Sequence, residues 1–143
     1  MDTGLPVASP PSIRFRDGYA YQLEDAYVVQ TPIVQAPCEV LGWVRLHHNG
    51  LLEFARGYAW DGASGPAVDT SSFMRGALCH DGLTQLVREG RLSESWLPDI
   101  HAFLGAVCRE DGMSTLRSWY VVLAVGWFGD AIARRPKPVQ VAP

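Results

Sequence analysis

The hydrophobic period of this chain changes once, between Trp60 and Ser71, and that change limits the fold more than any other feature. Up to Trp60 the apolar residues alternate: Ile13 and Phe15, then Tyr19, Tyr21 and Leu23, with Tyr27-Val28-Val29 rich in strand formers. A period of two puts such residues on one face of a β-strand. Val40 to Leu46 and Leu51 to Tyr58 flank His47-His48-Asn49-Gly50. Asn-Gly between two such runs predicts a hairpin with a type I′ turn, because both residues tolerate positive φ. From Ser71 the period becomes helical. Ser71 or Ser72 caps a first helix through Phe73, Ala77, Cys79, His80, Leu83 and Val87, ending near Gly90. Ser95, Trp96 and Pro98 open a second, which carries Ile100, Phe103, Leu104 and Val107 and closes near Gly112. Ser114 caps a third, through Leu116, Trp119, Tyr120, Leu123, Trp127 and Ile132. The expected fold is therefore α+β: N-terminal antiparallel β hairpins over 12–60 packed on a three-helix C-terminal half over 71–133, the first two helices antiparallel.

A length of 143 residues allows one domain with one core. The expected single domain spans 1–143, with an extended arm over 1–11 (Pro6, Pro10, Pro11) and a proline-rich tail over 134–143 (Pro136, Pro138, Pro143). With 48% apolar and only 19% charged residues the chain is expected to pack rather than stay disordered. A net charge of -3 and no lysine- or arginine-rich block argue against a nucleic-acid partner. Met1-Asp2-Thr3-Gly4 has no basic start followed by an apolar stretch, so no secretory signal is expected. The longest apolar run, Trp119 to Gly129, falls well short of the roughly 20 residues a bilayer crossing needs, so no transmembrane segment is expected. The third helix is apolar on nearly every side between Trp119 and Phe128, which fits a central core helix, a partner-facing helix or one lying against lipid.

Cys38, Cys79 and Cys108 are odd in number and widely spaced, so neither a disulfide framework nor a zinc site is expected. Cys79 and Cys108 fall on helix faces expected to be buried, where a thiol acts as a small hydrophobe. His47-His48 reads as exposed turn residues, since neighbours on a strand point to opposite faces and cannot share a metal.

The candidate chemistry lies between the strands and the second helix. Asp61-Gly62-Ala63-Ser64-Gly65-Pro66 follows a strand and precedes a helix; Asp61 and Asp69 supply the hard oxygens that calcium prefers. His80 and Asp81 are adjacent, so on a helix they point about 100° apart and do not pair along one face. The workable arrangement turns His80 toward Asp99 on the second helix and Asp81 back toward the Asp61 loop. His80 is then a general base for water, Asp99 holds its ring, and Asp61 with Asp81 shares a calcium ion that stabilises an oxyanion. The same residues also suit a purely structural pin between loop and helices.

Gly57-Tyr58, Trp60-Asp61-Gly62-Ala63-Ser64-Gly65-Pro66, Ala77-x-x-His80-Asp81-x-Leu83 and Arg117-x-Trp119 through Val125 to Phe128-Gly129 resemble an uncharacterised family of tailed phages and prophages. That family has a short β region, a loop of this pattern, a helix with a His-Asp pair and a final tryptophan-rich helix. The resemblance covers roughly residues 13–130 and implies a phage or prophage origin. It supplies no activity.

A fainter resemblance, from Asp61-Gly62-Ala63-Ser64 through His80-Asp81 to Asp99 and Cys108, is to small bacterial phospholipases A2. It implies calcium at Asp61 and Asp81, His80 as base and Asp99 as the orienting acid. Asp61, His80 and Asp99 are spaced 19 and 19 positions apart (80 − 61 and 99 − 80). Ala63 stands where those enzymes have a loop cysteine, Thr84 where a tyrosine usually follows the His-Asp pair, and Cys108 has no placed disulfide partner.

Two functions follow as expectations. One is a calcium-dependent, phospholipase A2-like ester hydrolase, with Trp119, Trp127 and Phe128 meeting a phospholipid surface. The other is a non-enzymatic virion or assembly protein of tail, baseplate or capsid, in which arms and aromatic helix contact phage structural proteins or further copies as a homo-oligomer. Either reading places the chain in the host cytoplasm on synthesis, and the second carries it into the virion.

Overall fold

The computed structural model describes residues 15–16, 21–60 and 71–133, with side chains over 21–60 and 71–125. The arm over 1–11, the loop carrying Asp61 and Asp69, and the tail over 134–143 lie outside the described residues.

The described residues form an α+β fold. The strands are β1 (Phe15–Arg16), β2 (Tyr21–Leu23), β3 (Tyr27–Gln30), β4 (Cys38–Val40), β5 (Val44–Leu46), β6 (Leu51–Phe54) and β7 (Ala59–Trp60). The helices are α1 (Ser71–Arg88), α2 (Leu97–Glu110) and α3 (Thr115–Ala133), with a short 3-10 turn (Glu94–Trp96) before α2. The strands make two antiparallel sheets, ordered β1-β2-β7 and β3-β6-β5-β4. Alternation fixes the register: Val44 and Leu46 on β5 pair with Phe54 and Leu52 on β6, and all four are buried.

The β5–β6 hairpin forms where Asn49-Gly50 predicts it, but its turn is not type I′. No non-glycine residue among those described has positive φ, whereas Gly50 has φ +89°. His47 O accepts from Gly50 N–H at 2.9 Å and Leu51 O accepts from His47 N–H at 2.8 Å. The loop is thus longer than two residues and carries its glycine at the left-handed position, a common hairpin alternative. Gly50 is also held by the residue after β3, since Thr31 N–H and Thr31 Oγ1 both donate to Gly50 O, at 2.9 and 2.8 Å.

Helix ends follow the sequence closely. Ser114 Oγ accepts from Arg117 N–H at 3.2 Å and caps α3. Gly90, at φ +72°, ends α1 with Gly90 N–H on Val87 O and Arg91 N–H on Leu86 O, the paired bonds of a Schellman motif. Pro98 sits in the first turn of α2.

Which helix is central departs from the apolar pattern. From Phe73 to Val87 every residue of α1 except Asp81 is buried, Arg75, His80, Thr84 and Gln85 included. Two glycines make room for this. A Cβ on Gly82 would come within 2.4 Å of Phe54 Cε1 on the sheet, and one on Gly76 within 2.7 Å of Cys108 Sγ on α2. So α1 is sandwiched between sheet and α2, and α3 lies outside it. Of the α3 side chains described, Ser118 and Val121 are buried against the body, while Leu116, Trp119, Tyr120 and Leu123 are exposed. No helix among the described residues is long and apolar enough to cross a membrane.

Candidate functional site

Helices α1 and α2 run antiparallel: Gly76 lies against Leu104 and Cys108, and His80 meets His101. His80 Nε2 and His101 Nδ1 are 3.1 Å apart, with ring centroids 5.1 Å apart and planes inclined by 28°. Both residues are buried, at 7% and 8% exposure, so this N–H···N bond is screened from water and joins the two helices across their interface. Thr84 Oγ1 donates to His80 O at 2.8 Å, one turn on.

The expectation that Asp99 holds the His80 ring is not met. Asp99 is exposed in the first turn of α2, and among the described residues no hydrogen bond or ion pair joins it to His80. The reason is angular. Leu97, Ile100, His101, Leu104 and Cys108 define the buried face of α2. At about 100° per residue, position 99 lies roughly 160° from the centre of that face. The 19-residue spacing carries the chain to the right height on α2 but to the wrong side, and His101, two positions on, occupies the place.

Asp81 stays in partial contact with solvent, its side chain 34% exposed. Its Oδ1 lies 3.9 Å from His80 Nδ1, beyond hydrogen-bond distance, which agrees with the expectation that the adjacent pair does not bond along one face. Which of the two rings donates is set by their tautomers, and either choice engages His80 Nε2 with His101 Nδ1. Asp61, the expected partner of Asp81 in a calcium site, lies outside the described residues. Among the described residues no group of three or more His, Cys, Asp or Glu side chains converges as metal ligands. The facing nitrogens of His80 and His101 are spent on each other.

A second buried polar cluster, which the sequence reading missed, lies one turn and more below. Arg75, 3% exposed, donates through Nε and Nη2 to Asp111 at 3.0 and 2.9 Å, through Nη1 to Tyr27 Oη at 3.0 Å, and through Nη2 to Glu110. It ties α1 to the end of α2 and to β3. Burial acts to lower its pKa, but the bonds to Asp111, Tyr27 and Glu110 outweigh that and hold it above the ordinary arginine value, so the guanidinium stays charged. The sequence carried no direct signal for it: counting antiparallel from the observed contacts of 80 with 101 and of 76 with 104 and 108 places 75 in the last turns of α2, short of 111. Gln85 completes the spine, accepting from Tyr58 Oη at 2.7 Å and donating to Glu89 at 3.0 Å.

The expected inert role of Cys79 and Cys108 agrees with their burial, which pushes both thiols up to about 12. An unfolded thiol titrates near about 8.5, so between there and about 12 the folded state binds more protons. The stability these thiols contribute is present below about pH 8.5 and lost as pH rises toward 12. A thiol reagent at pH 8 is expected to label Cys38 alone in the folded protein and all three cysteines in denaturant. Rapid labelling of Cys79 or Cys108 without denaturant would contradict this packing.

His47 Nε2 lies 2.9 Å from Glu53 Oε1, at the rim of an open depression of about 770 Å³ lined by Cys38, Glu39, Arg45, His47 and Arg91. Arg45 pairs with Glu39 at 3.3 Å within this lining. Compared with known protein families, curated proteins and solved structures, the chain matches none.

Proposed function

We propose that this chain is a non-enzymatic assembly component, of phage or prophage origin, in which the His80 cluster clamps α1 to α2. One observation carries the reading: His80, the expected base, is buried with its Nε2 committed to His101, while the expected orienting acid, Asp99, is on the opposite side of its helix. A general base needs a lone pair within reach of substrate or water. The phage origin rests on the resemblance through Trp60–Pro66 and Ala77–Leu83.

The calcium-dependent ester hydrolase is the second reading, favoured by the partly open Asp81 beside His80 Nδ1. Calorimetric calcium titration with fluorogenic phospholipid hydrolysis separates the two, on wild type, His80→Gln, His101→Gln and Asp81→Asn. The assembly reading expects no saturable calcium binding and no turnover, with His80→Gln and His101→Gln each losing about 1–3 kcal/mol in urea denaturation. Calcium binding abolished by Asp81→Asn, with turnover abolished by both Asp81→Asn and His80→Gln, would replace it by the hydrolase.

A further inference from the structure

We propose that Asn49-Gly50, in the β5–β6 hairpin loop, is a self-modification site that the fold keeps latent: it converts to isoaspartate and aspartate only when the hairpin opens. The pair supplies the groups this chemistry needs. Asn49 is exposed and its side-chain amide is one ring closure away from the next peptide nitrogen, while Gly50 has no side chain to shield that nitrogen. Once the Gly50 nitrogen has given its proton to a base in solvent, it bonds to Asn49 Cγ. The Cγ–Nδ2 bond breaks, and Nδ2 leaves as ammonia with a proton from water. Water then opens the cyclic imide. Cleavage of its Cγ–N bond gives aspartate; cleavage of its α-carbonyl C–N bond gives isoaspartate, in which the main chain runs through Cβ and Cγ. The sum is an amide and water giving a carboxylic acid and ammonia, with no electron transferred.

The folded hairpin holds these groups away from that reaction. Gly50 is buried and donates its N–H to His47 O at 2.9 Å, so the proton that must leave is bonded and out of reach of a solvent base. Asn49 Oδ1 accepts from Leu51 N–H at 3.1 Å, which fixes the side-chain amide. Asn49 O accepts from Gln30 Nε2 at 2.8 Å, and Gly50 O accepts from Thr31 N–H and Oγ1 at 2.9 and 2.8 Å. The peptide joining the two residues therefore cannot turn its nitrogen onto Cγ until these bonds break. Conversion runs through the locally open hairpin, and its rate follows the population of that open state. Isoaspartate then makes the opening one-way. It adds a methylene to the main chain, turns Asn49 O into a carboxylate oxygen and displaces Gly50, where even a Cβ would lie 2.5 Å from Thr31 O. The converted loop cannot re-form its bonds to His47 and to Thr31 together. The proposal goes beyond the assembly reading and stands whether or not the His80 cluster has a chemical role.

The test incubates the full chain in mildly alkaline buffer, folded and in urea, and follows the peptide holding Asn49 by mass spectrometry and isoaspartate quantitation. Conversion in the folded protein is expected to be at least about 10-fold slower than in urea. Thr31→Val removes the Oγ1 bond to Gly50 O without touching the reacting pair, and is expected to speed conversion of the folded protein about 3–10-fold while leaving the rate in urea unchanged. Gln30→Ala removes the bond to Asn49 O from an exposed position, so it keeps the test if Thr31→Val fails to fold, and is expected to act in the same direction. The purified isoaspartate form is expected to melt below the unmodified chain. Equal rates in buffer and in urea would overturn the proposal, as would no conversion in urea. So would a folded-state rate indifferent to the substitutions that fold, or an isoaspartate form that melts with the unmodified protein.

Discussion

Arg75→Met is expected to lower stability to urea by about 3–5 kcal/mol, the largest single effect in this protein. The guanidinium is almost wholly buried, and its removal leaves Asp111, itself only 14% exposed, without its bidentate partner, and Tyr27 Oη without its donor. Coulomb attraction is not the main source of the loss. The cost comes from the carboxylate left desolvated, which is why breaking one side of a buried pair exceeds the net worth of the pair. Glu110 contributes little, because it is 68% exposed and water already screens it. Arg75→Lys is expected to recover only part, since an ammonium cannot make the two parallel bonds to one carboxylate that Nε and Nη2 make. Arg75→Met/Asp111→Asn is expected to lose clearly less than the sum of its single variants, because neutralising position 111 removes the stranded charge. Additive losses, or an Arg75→Met loss under 1 kcal/mol with an unchanged m-value, would show that the cluster is not coupled.

Gly50→Ala is the second large effect, expected at about 2–4 kcal/mol. Two independent costs meet there. The residue sits at φ +89°, where an L side chain is strained, and an added Cβ would lie 2.5 Å from Thr31 O and 3.0 Å from Gln30 Nε2. Thr31 O is backbone of the neighbouring connection after β3, so it yields only if the hairpin shifts, and Gly50 O is fixed by two donors from Thr31. Gly50→Asn separates the costs: asparagine tolerates the left-handed region but keeps the Cβ, so it is expected to regain only about 1 kcal/mol of the alanine loss. Urea denaturation checks both. An alanine variant within 0.5 kcal/mol of wild type would mean that the turn relaxes freely.

Much of this architecture can be read without coordinates. Element type, the change of period after Trp60, the helix stops near Gly90 and Gly112 and the Ser114 cap depend on residues close in sequence, whose conformational preferences act locally. The β5–β6 hairpin was visible at Asn49-Gly50, but not its turn type, because the choice between hairpin loops depends on how Gly50 is held by Thr31 on another strand connection. The antiparallel course of α1 and α2 was likewise visible from the short connection between them. What spacing could not supply was rotation: Asp99 and His101 differ by two positions and about 200° around α2, and packing on α1 chose His101.

Hydropathy pointed furthest from the outcome at the helices. The sequence alone determined that α3 is apolar on nearly all sides and that α1 carries Arg75, His80, Thr84 and Gln85 among its apolar residues. Only the tertiary structure decided that α1 is the buried helix and α3 the exposed one. Burial of α1 depends on partners remote in sequence: Asp111 for Arg75, His101 for His80 and Tyr58 for Gln85, with Gly76 and Gly82 clearing space for α2 and the sheet. A buried polar group is stable when its hydrogen bonds are made and costly when they are not. Composition records the group, but only the fold supplies the partner.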